Sequence, residues 1–361
     1  MSRSVIVVGA GIIGCAVARE LAVRGVACTV IDDRPVGGGA TRASAGMLAP
    51  YVEAHGGGPL LDLGIRSLDL YQHWVFAVRR ESGFEIEFSM IGTLEVALSV
   101  DRAAELRRSG RAHGGWLDAV DVARTYPYLR LTAGALTNEL HGYVDAPQLT
   151  TALARAAARG GATFERARVV AVSRESGHLR VTTDTGIHEA SDVVLAAGAW
   201  TNAIVGVRTP PLRPVRGQLL QLEWQGWPLQ TVIWGPDCYV VPRWDGSVLV
   251  GATVEEAGFD ERNTEEGIRR LRGAAADLLP VTKDLRLIEA RVGLRPATPD
   301  ELPVIGPDPV VPGLFHASGH YRNGVLLAPI TAKLIGDLIV NGKSDQALES
   351  FRSDRFTSSH G

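Results

Sequence analysis

Two arginines in the C-terminal part of the chain are placed to bind an anion. Arg295 stands in "GLRPATPDELPVIG", where Pro296 ends a strand, and Arg322 stands in the turn "GHYRNG" ahead of an apolar run. A guanidinium presents paired N–H donors that match a carboxylate. Tyr239 in "CYVVPR" could add a hydroxyl donor to the same anion. The alternatives stay open here: strand-end arginines often bind surface acids, and a strand tyrosine often packs in a core.

A glycine motif near the N-terminus belongs to the elements that would position such a site. The segment "SVIVVGAGIIGCAVARELAVRGVACTVIDD" reads as strand, turn, helix and strand, with Gly9, Gly11 and Gly14 spaced as GxGxxG. In this motif the glycines allow a tight turn, close approach of a pyrophosphate, and close helix–strand packing. The helix N-terminus attracts phosphate. Asp32 ends the second strand, where it can accept hydrogen bonds from a ribose, and Asp33 is the alternative acid. The motif predicts a dinucleotide site.

Two further segments favour a flavin over a nicotinamide cofactor. "TRASAGMLAP" at residues 41–50 and "DVVLAAGAWTN" at residues 192–202 are rich in small residues that let backbone approach a flat ring system. The rest of the sequence shows no pattern typical of a nicotinamide dehydrogenase. It also shows no Ser/His/Asp arrangement and no metal-ligand spacing, so hydrolysis and metal chemistry are not indicated.

Composition limits the possible partners and compartment. The net charge of −3 over 361 residues argues against nucleic acid as the main partner. The cysteines Cys15, Cys28 and Cys238 fit neither a disulfide framework nor a metal site, which indicates reduced thiols in a cytoplasmic protein. The uncharged run at residues 4–18 is too short to span a membrane and contains three glycines, so no integral membrane segment is expected.

The order of the patterns predicts an α/β fold with two interleaved domains. We expect a Rossmann-type FAD-binding domain formed by residues 1–82, 146–210 and 291–361. A substrate domain with a mixed, largely antiparallel sheet is expected from residues 83–145 and 211–290. The main expected elements are helices over 60–80, 101–126, 146–160 with Asp145 as N-cap, 264–279 and 325–340, a hairpin turn at 244–246, and a frayed tail at 350–361.

The residues above carry a resemblance that covers nearly the whole chain. The sequence resembles the D-amino-acid oxidase family of FAD enzymes, and within it the glycine oxidases of the thiamine-biosynthesis type. The matching motifs are "VIVVGAGIIG", "ASAGMLAP", "GYVDAPQL", "VVLAAGAWT", "RPVRGQ", "YVVPR", "VGATVEEAGFD", "GLRPATPDELPVIG" and "GHYRNGVLLAP". The combination of "VGATVE" with "GHYRNG" is the most specific of these. The segment at residues 53–59 departs from the family pattern.

The resemblance assigns roles to individual residues. It implies that Arg295 grips the substrate carboxylate, that Arg322 assists, and that Tyr239 closes over the same group. Related sarcosine oxidases tether FAD through a cysteine near the position of Gly293, so noncovalent FAD is expected. The expected cofactor contacts are Gly9, Gly11, Ile12, Ile13, Gly14, Asp32, Asp33, Thr41, Ser44, Ala45, Gly46, Met47, Val169, Val170, Ala197, Gly198, Gly319, Tyr321, Arg322, Asn323, Gly324, Val325 and Leu326.

The resemblance also implies an activity. It is the oxidative deamination of glycine and other small amines, such as sarcosine and small D-amino acids, by hydride transfer to flavin N5. The expected products are the 2-oxo acid, ammonia and hydrogen peroxide, or an imine supplied to thiamine thiazole synthesis. Alternatives are a D-amino-acid dehydrogenase that reduces a quinone, a sarcosine or D-proline oxidase, and a non-catalytic flavin-binding protein. Relatives are often homotetramers, so an oligomer is expected.

Overall fold

The N-terminal residues fold as strand, helix and strand. The computed structural model describes residues 3–53, 57–108, 114–175, 177–226 and 228–356. Strand β1 (Ser4–Val8) leads into helix α1 (Ile12–Val23), which is followed by strand β2 (Ala27–Asp32). Between β1 and α1, Gly9 has φ +109°, a conformation that side-chain-bearing residues rarely adopt. The predicted strand–turn–helix–strand unit is confirmed.

This unit lies at the centre of a six-stranded sheet. In the described residues the sheet order is β19-β20-β13-β1-β2-β9, and all neighbours are parallel except the pair β19–β20. Val5 and Val7 pack in one core, whereas Ile6 and Val8 pack in another on the opposite face. A strand buried on both faces needs the continuous β-branched run that the sequence provides. The added strands are β9 (Thr163–Arg166), β13 (Asp192–Leu195), β19 (Val304–Pro307) and β20 (Leu314–Ser318).

Helices cover one face of this sheet. Helix α1 packs against α6 (Ala146–Arg159) and α8 (Gly324–Asn341), and α3 (Pro59–Ser82) packs across both. The Asp145 side chain caps α6 by accepting a hydrogen bond from the Gln148 N–H at 2.7 Å, as predicted. Helix α8 is long and apolar enough to cross a membrane, but two thirds of it is buried among these helices, as in a core helix.

A second sheet of eight strands forms the other half of the molecule. Its order in the described residues is β18-β14-β17-β16-β15-β5-β7-β6, antiparallel except for the parallel pair β15–β5. Helix α7 (Glu265–Leu278) covers one face with Leu271 and Leu278. The strands are β5 (Thr93–Ala97), β6 (Trp116–Leu117), β7 (Gly134–Asn138), β14 (Arg213–Glu223), β15 (Val232–Trp234), β16 (Tyr239–Pro242), β17 (Ser247–Gly251) and β18 (Leu287–Ala297).

Two small three-stranded sheets complete the described fold. One has the order β3-β8-β4 and lies where the chain passes between the large sheets, and the other, β10-β11-β12, packs on the six-stranded sheet. The remaining elements are β3 (Met47–Leu48), β4 (Phe88–Ser89), β8 (Gly142–Val144), β10 (Val169–Glu175), β11 (His178–Thr183), β12 (Ile187–Ala190), α2 (Pro50–Glu53), α4 (Val100–Arg108) and α5 (Ala119–Thr125).

Three details differ from the sequence-based expectations. The boundary predicted between residues 290 and 291 divides the continuous strand β18, because that strand stays paired with β14 up to Ala297. Residues 101–126 are not one helical stretch: α4 and α5 are separated by strand β6, which pairs with β7. The expected frayed tail is wrong as far as residue 356, because Phe351 is fully buried in the helix-side core.

Candidate active site

A large cavity connects the two halves of the described structure. It encloses about 720 Å³ and is lined by the glycine turn after β1, by the small residues before β3, and by the ends of β14, β16, β17 and β18. The volume lies in the range typical of small-molecule and cofactor sites. The cavity therefore joins a nucleotide end, built on the six-stranded sheet, to a polar end, built on the eight-stranded sheet.

At the nucleotide end, three groups fix the turn that follows β1. The Gly9 N–H donates to the Ile31 carbonyl at 2.8 Å, and the Asp32 carboxylate accepts the Ala10 N–H at 2.6 Å. A Cβ built on Gly14 would overlap the Gly9 carbonyl oxygen, so only glycine lets α1 pack this closely. Burial raises the pKa of Asp32 although backbone N–H groups oppose that shift. The turn is thus held rigidly with a carboxylate at its side.

The N-terminus of α1 faces the same end of the cavity. Gly11 is the N-cap residue and supplies no capping side chain, while the Thr41 hydroxyl accepts the Ile12 N–H at 3.1 Å. The start of a helix carries partial positive charge and N–H groups directed outward. Gly11 and Ile12 both line the cavity. This arrangement is suited to binding a pyrophosphate.

At the polar end, the Arg295 side chain lies over a glycine of the neighbouring strand. Its Nη1 donates to the Thr253 carbonyl at 3.0 Å. A Cβ built on Gly217 would overlap this guanidinium, so the glycine of "RPVRGQ" leaves the space that Arg295 occupies. Burial lowers the pKa of Arg295, and the nearby Arg322 adds to this effect. A partly desolvated cation of this kind gains from pairing with an anion.

A glycine on the neighbouring strand also makes room for Tyr239 beside Arg295. A Cβ on Gly251 would lie 2.5 Å from the Tyr239 hydroxyl oxygen, so the phenol fits only against a bare backbone. Burial raises the pKa of Tyr239 to about 12, and the charge of Arg295 partly offsets the shift. The hydroxyl therefore stays protonated near neutral pH and can donate a hydrogen bond to an anion.

Arg322 is carried by a tight loop that is fastened to the end of β18. Tyr321 has φ +47° and donates its backbone N–H to the Pro296 carbonyl at 3.0 Å. A non-glycine residue in this region is uncommon and marks a conformation that the surroundings impose. Because Pro296 follows Arg295 directly, this hydrogen bond links the backbone segments that carry the two arginines.

Glu53 is a charged site residue that the sequence reasoning missed. Its Oε2 lies 3.1 Å from Nε of Arg322, and its side chain is only 10% exposed. Burial raises the pKa of Glu53, although Arg322 and Arg295 favour its charged form. The available signal was an acid in "APYVEA", at the start of the segment that departs from the family pattern. Residues 54–56 of that segment lie outside the described residues.

His320 also lines the cavity but does not supply positive charge. Its Nε2 lies 3.0 Å from the Thr331 hydroxyl oxygen, and the residue is 3% exposed. Burial lowers the pKa of His320 to about 3. The imidazole is therefore neutral at physiological pH, and the cations in contact with the polar end are the arginines.

Most of the residues expected to contact substrate or cofactor line the cavity. Those that do are Gly9, Gly11, Ile12, Ile13, Asp32, Asp33, Thr41, Ser44, Ala45, Gly46, Met47, Val169, Val170, Ala197, Gly198, Tyr239, Arg295, Tyr321, Arg322, Gly324 and Val325.

Four of the expected residues are not among those that line the cavity. Gly14 packs against Gly9, and Gly319 packs against Thr298. Asn323 is the N-cap residue of α8. Leu326 is 3% exposed in the helix-side core, and its carbonyl accepts the Ser67 hydroxyl at 2.6 Å. These positions support the cavity wall from behind.

Comparison with known proteins identifies the family. A family model described as FAD dependent oxidoreductase matches residues 4–338. The chain belongs to this family of FAD-dependent oxidoreductases. It is 36% identical to the bifunctional protein ThiO/ThiG of Synechocystis sp. over 98% of this chain and 54% of that protein. The chain thus spans about half the length of the curated relatives that it matches first.

Relatives of similar length are also found. The chain is 32% identical to the glycine oxidase of Bacillus licheniformis, with 98% of both chains covered. The crystal structure of glycine oxidase from Geobacillus kaustophilus superposes with a TM-score of 0.93 at 33% identity, covering 98% of this chain and 99% of that one. The predicted resemblance, the α/β fold class and the FAD cofactor of this oxidoreductase are confirmed.

The residues present fit FAD. The glycine turn and the N-terminus of α1 would hold the pyrophosphate, and Asp32 would accept a ribose hydroxyl. A Cβ on Gly9 would come within 2.5 Å of the Ala196 carbonyl oxygen, so only glycine lets the turn pack against the segment after β13, and both line the cavity. Gly293 contacts the backbone of Ala40, which leaves this position without a group for a covalent tether.

Proposed function

We propose that this oxidoreductase deaminates glycine and other small amines, such as sarcosine and small D-amino acids. The observation that carries the proposal is the convergence of Arg295, Arg322 and Tyr239 at one end of a cavity whose other end fits FAD. Two guanidiniums and a phenol that stays protonated match one carboxylate. The proposal agrees with the names of the full-length relatives, which are glycine oxidases.

The protein side chains act mainly by positioning. Arg295 and Tyr239 bind the substrate carboxylate, and Arg322 takes part after its pairing with Glu53 rearranges. Holding the carboxylate fixes the α-carbon in one orientation and removes water from it, which supplies much of the rate acceleration in such reactions. FAD, when bound, would supply the hydride acceptor, and its reoxidation by oxygen would yield hydrogen peroxide. The resulting imine hydrolyses to the 2-oxo acid and ammonia, or to the 2-oxo acid and methylamine when the substrate is sarcosine.

The setting of the reaction is part of the proposal. The cysteines Cys15, Cys28 and Cys238 are free rather than joined in disulfides, which supports the proposal of a cytoplasmic protein. Because the relatives include a protein named ThiO/ThiG, the imine is proposed as a supply for thiamine thiazole synthesis. Assembly into a homotetramer stays a prediction from the resemblance.

Anaerobic reduction of the bound flavin tests the proposal. Glycine, sarcosine and D-alanine should each bleach the visible absorbance of the oxidised flavin. Admitting air should restore this absorbance and produce about one hydrogen peroxide per substrate molecule oxidised. L-Leucine serves as the bulky control and should not react. Reduction that is restored by a quinone but not by oxygen would contradict the oxidase assignment, and no reduction by any amine would contradict amine oxidation altogether.

A further inference from the structure

Four side chains form a contact between the two halves of the molecule at the nucleotide end of the cavity. Arg34 follows β2, and Trp200 lies in the short helix Gly198–Ala203 after β13, so both belong to the six-stranded sheet. Phe259 and Glu261 lie in the connection between β17 and α7, which belongs to the eight-stranded sheet. We refer to Arg34, Trp200, Phe259 and Glu261 as the clasp.

The contacts within the clasp are specific. The Arg34 guanidinium pairs with both oxygens of Glu261, at 3.0 Å from Nη1 to Oε1 and 2.8 Å from Nη2 to Oε2. The same guanidinium lies 3.9 Å from the centre of the Trp200 ring, and the Phe259 ring is 6.2 Å from that of Trp200. A planar guanidinium that is stacked and bidentate at once is a strongly oriented contact, unlike an isolated surface ion pair.

The position of the clasp relates it to the cofactor. The Arg34 backbone N–H donates to the carboxylate of Asp32 at 2.8 Å, so the clasp begins two residues after the acid that would accept a ribose hydroxyl of FAD. Arg34 and Trp200 both line the cavity, as does Val254 from the opposing connection. Trp200 also packs on Gly39, whose added Cβ would lie 3.4 Å from its ring. The clasp therefore borders the space for the adenosine half of FAD.

The opposing connection is anchored to the eight-stranded sheet on both sides of Phe259. Arg216 of β14 binds Glu255 through paired backbone hydrogen bonds and binds Asp260 at 3.0 Å. Between these anchors, Phe259 is 56% exposed, and its contact with Trp200 links it to the six-stranded sheet. The clasp can therefore separate while the connection stays attached to the sheet behind it.

We propose that the clasp retains noncovalent FAD by closing the nucleotide end of the cavity. A cofactor without a covalent tether leaves whenever its exit opens, and here opening requires the Arg34–Glu261 pair and the Trp200 stack to separate. The eight-stranded sheet, which holds the substrate groups, thereby also sets the lifetime of the bound cofactor. This inference depends on FAD binding alone and is independent of which amine is oxidised.

The experiment measures FAD release from the purified holoenzyme. After dilution into buffer without FAD, the rise of free-flavin fluorescence gives the dissociation rate. Arg34→Ala and Glu261→Ala should each raise the rate about tenfold, and the double variant should be no faster than the faster single one, because both remove one contact. Arg34→Lys keeps the charge without the planar fork and should give an intermediate rate.

A matched control lies in the same connection. The Arg262 side chain is 85% exposed and pairs with Asp260 outside the clasp, so Arg262→Ala should stay within about twofold of the wild-type rate. Phe259→Ala provides a variant whose exposed side chain is not needed for folding, and it should also speed release. Equal rates for the clasp and control variants would overturn the proposal. Additive effects of the Arg34 and Glu261 changes would also overturn it, since they would indicate that Arg34 acts on FAD directly.

Discussion

The two ends of the cavity present different chemical groups to a ligand: mainly backbone groups at the nucleotide end and charged side chains at the polar end. At the nucleotide end, backbone groups and small residues of the glycine turn, of the segment before β3 and of the segment after β13 face the ligand, with Asp32 beside the turn. At the polar end, charged side chains face the ligand: Arg295 and Arg322 come from the C-terminal part of the chain, and Glu53 comes from the N-terminal part. Glycine appears at both ends, but its role differs: Gly9 shapes a turn, whereas Gly217 leaves room for another residue's side chain.

This difference separates binding the cofactor from choosing the substrate. Backbone N–H groups bind the phosphates that every dinucleotide shares. The nucleotide end therefore tolerates few substitutions and does not discriminate between substrates. Side chains that converge from separate strands can change one at a time, and each change alters charge or volume at the substrate. Variants at the polar end should therefore affect the substrate while leaving the flavin content intact, and the predictions below test that separation.

The largest effect is expected from Arg295→Ala. Removing a partly buried guanidinium leaves the substrate carboxylate without its main partner, which should lower kcat/KM for glycine by about 30-fold to several thousand-fold. The flavin-to-protein ratio from the absorbance spectrum should equal that of the wild type. Loss of flavin in this variant would break the separation between the two ends.

Gly217→Ala should have a smaller but related effect. The added methyl group would overlap the Arg295 guanidinium and push it away from the cavity, so KM for glycine should rise roughly 10- to 100-fold. Gly273→Ala is the control, because a Cβ there meets nothing within 4 Å in helix α7. If the Gly217 variant kept the wild-type KM, the guanidinium would not be the substrate anchor.

Glu53→Gln should act in the opposite direction. The neutral amide no longer competes with the substrate for Arg322, so KM for glycine should fall about three- to tenfold. Glu256→Gln removes a carboxylate from the surface pair with Arg213 and should leave KM unchanged. A higher KM in the Glu53 variant would instead indicate that this carboxylate binds the substrate amine.

The smallest effect concerns stability in acid. The folded protein holds the pKa of His320 at about 3, below the ordinary value of 6.5, so at falling pH the unfolded chain takes up a proton that the folded protein refuses. The free energy of unfolding should therefore decrease below pH 6.5, by about 1.4 kcal/mol per pH unit from this residue. Chemical denaturation of His320→Asn at pH 7 and pH 5 should show a smaller loss than the wild type; an equal loss would assign the acid sensitivity to other groups.

The sequence predicted the nucleotide end better than the polar end for a physical reason. The glycine spacing, the helix start and the acid at the end of β2 lie within 24 residues, so local geometry relates them directly. Arg295 and Arg322 were found as candidates, but nothing local indicates that Gly217 and Gly251 make room for Arg295 and Tyr239. That role exists only through the register of neighbouring strands, in which Gly217 pairs with Gly293 and Tyr239 with Gly251.

Glu53 is a second case of a contact that local sequence patterns do not reveal. An acid in a short segment before an unfamiliar loop carries no periodicity, and its pairing with Arg322 joins residues 269 positions apart. The domain boundary at residues 290–291 stays a prediction, and strand β18 runs across it from the eight-stranded sheet into the residues that return to the other sheet.

The hydrogen bond from the Tyr321 backbone N–H to the Pro296 carbonyl ties the backbone that carries Arg322 to the end of the strand that carries Arg295. A backbone link of this kind limits how far apart the two arginines can move when they bind one carboxylate. Substitutions in the facing wall of the cavity could therefore admit other amines without changing how the acid group is bound.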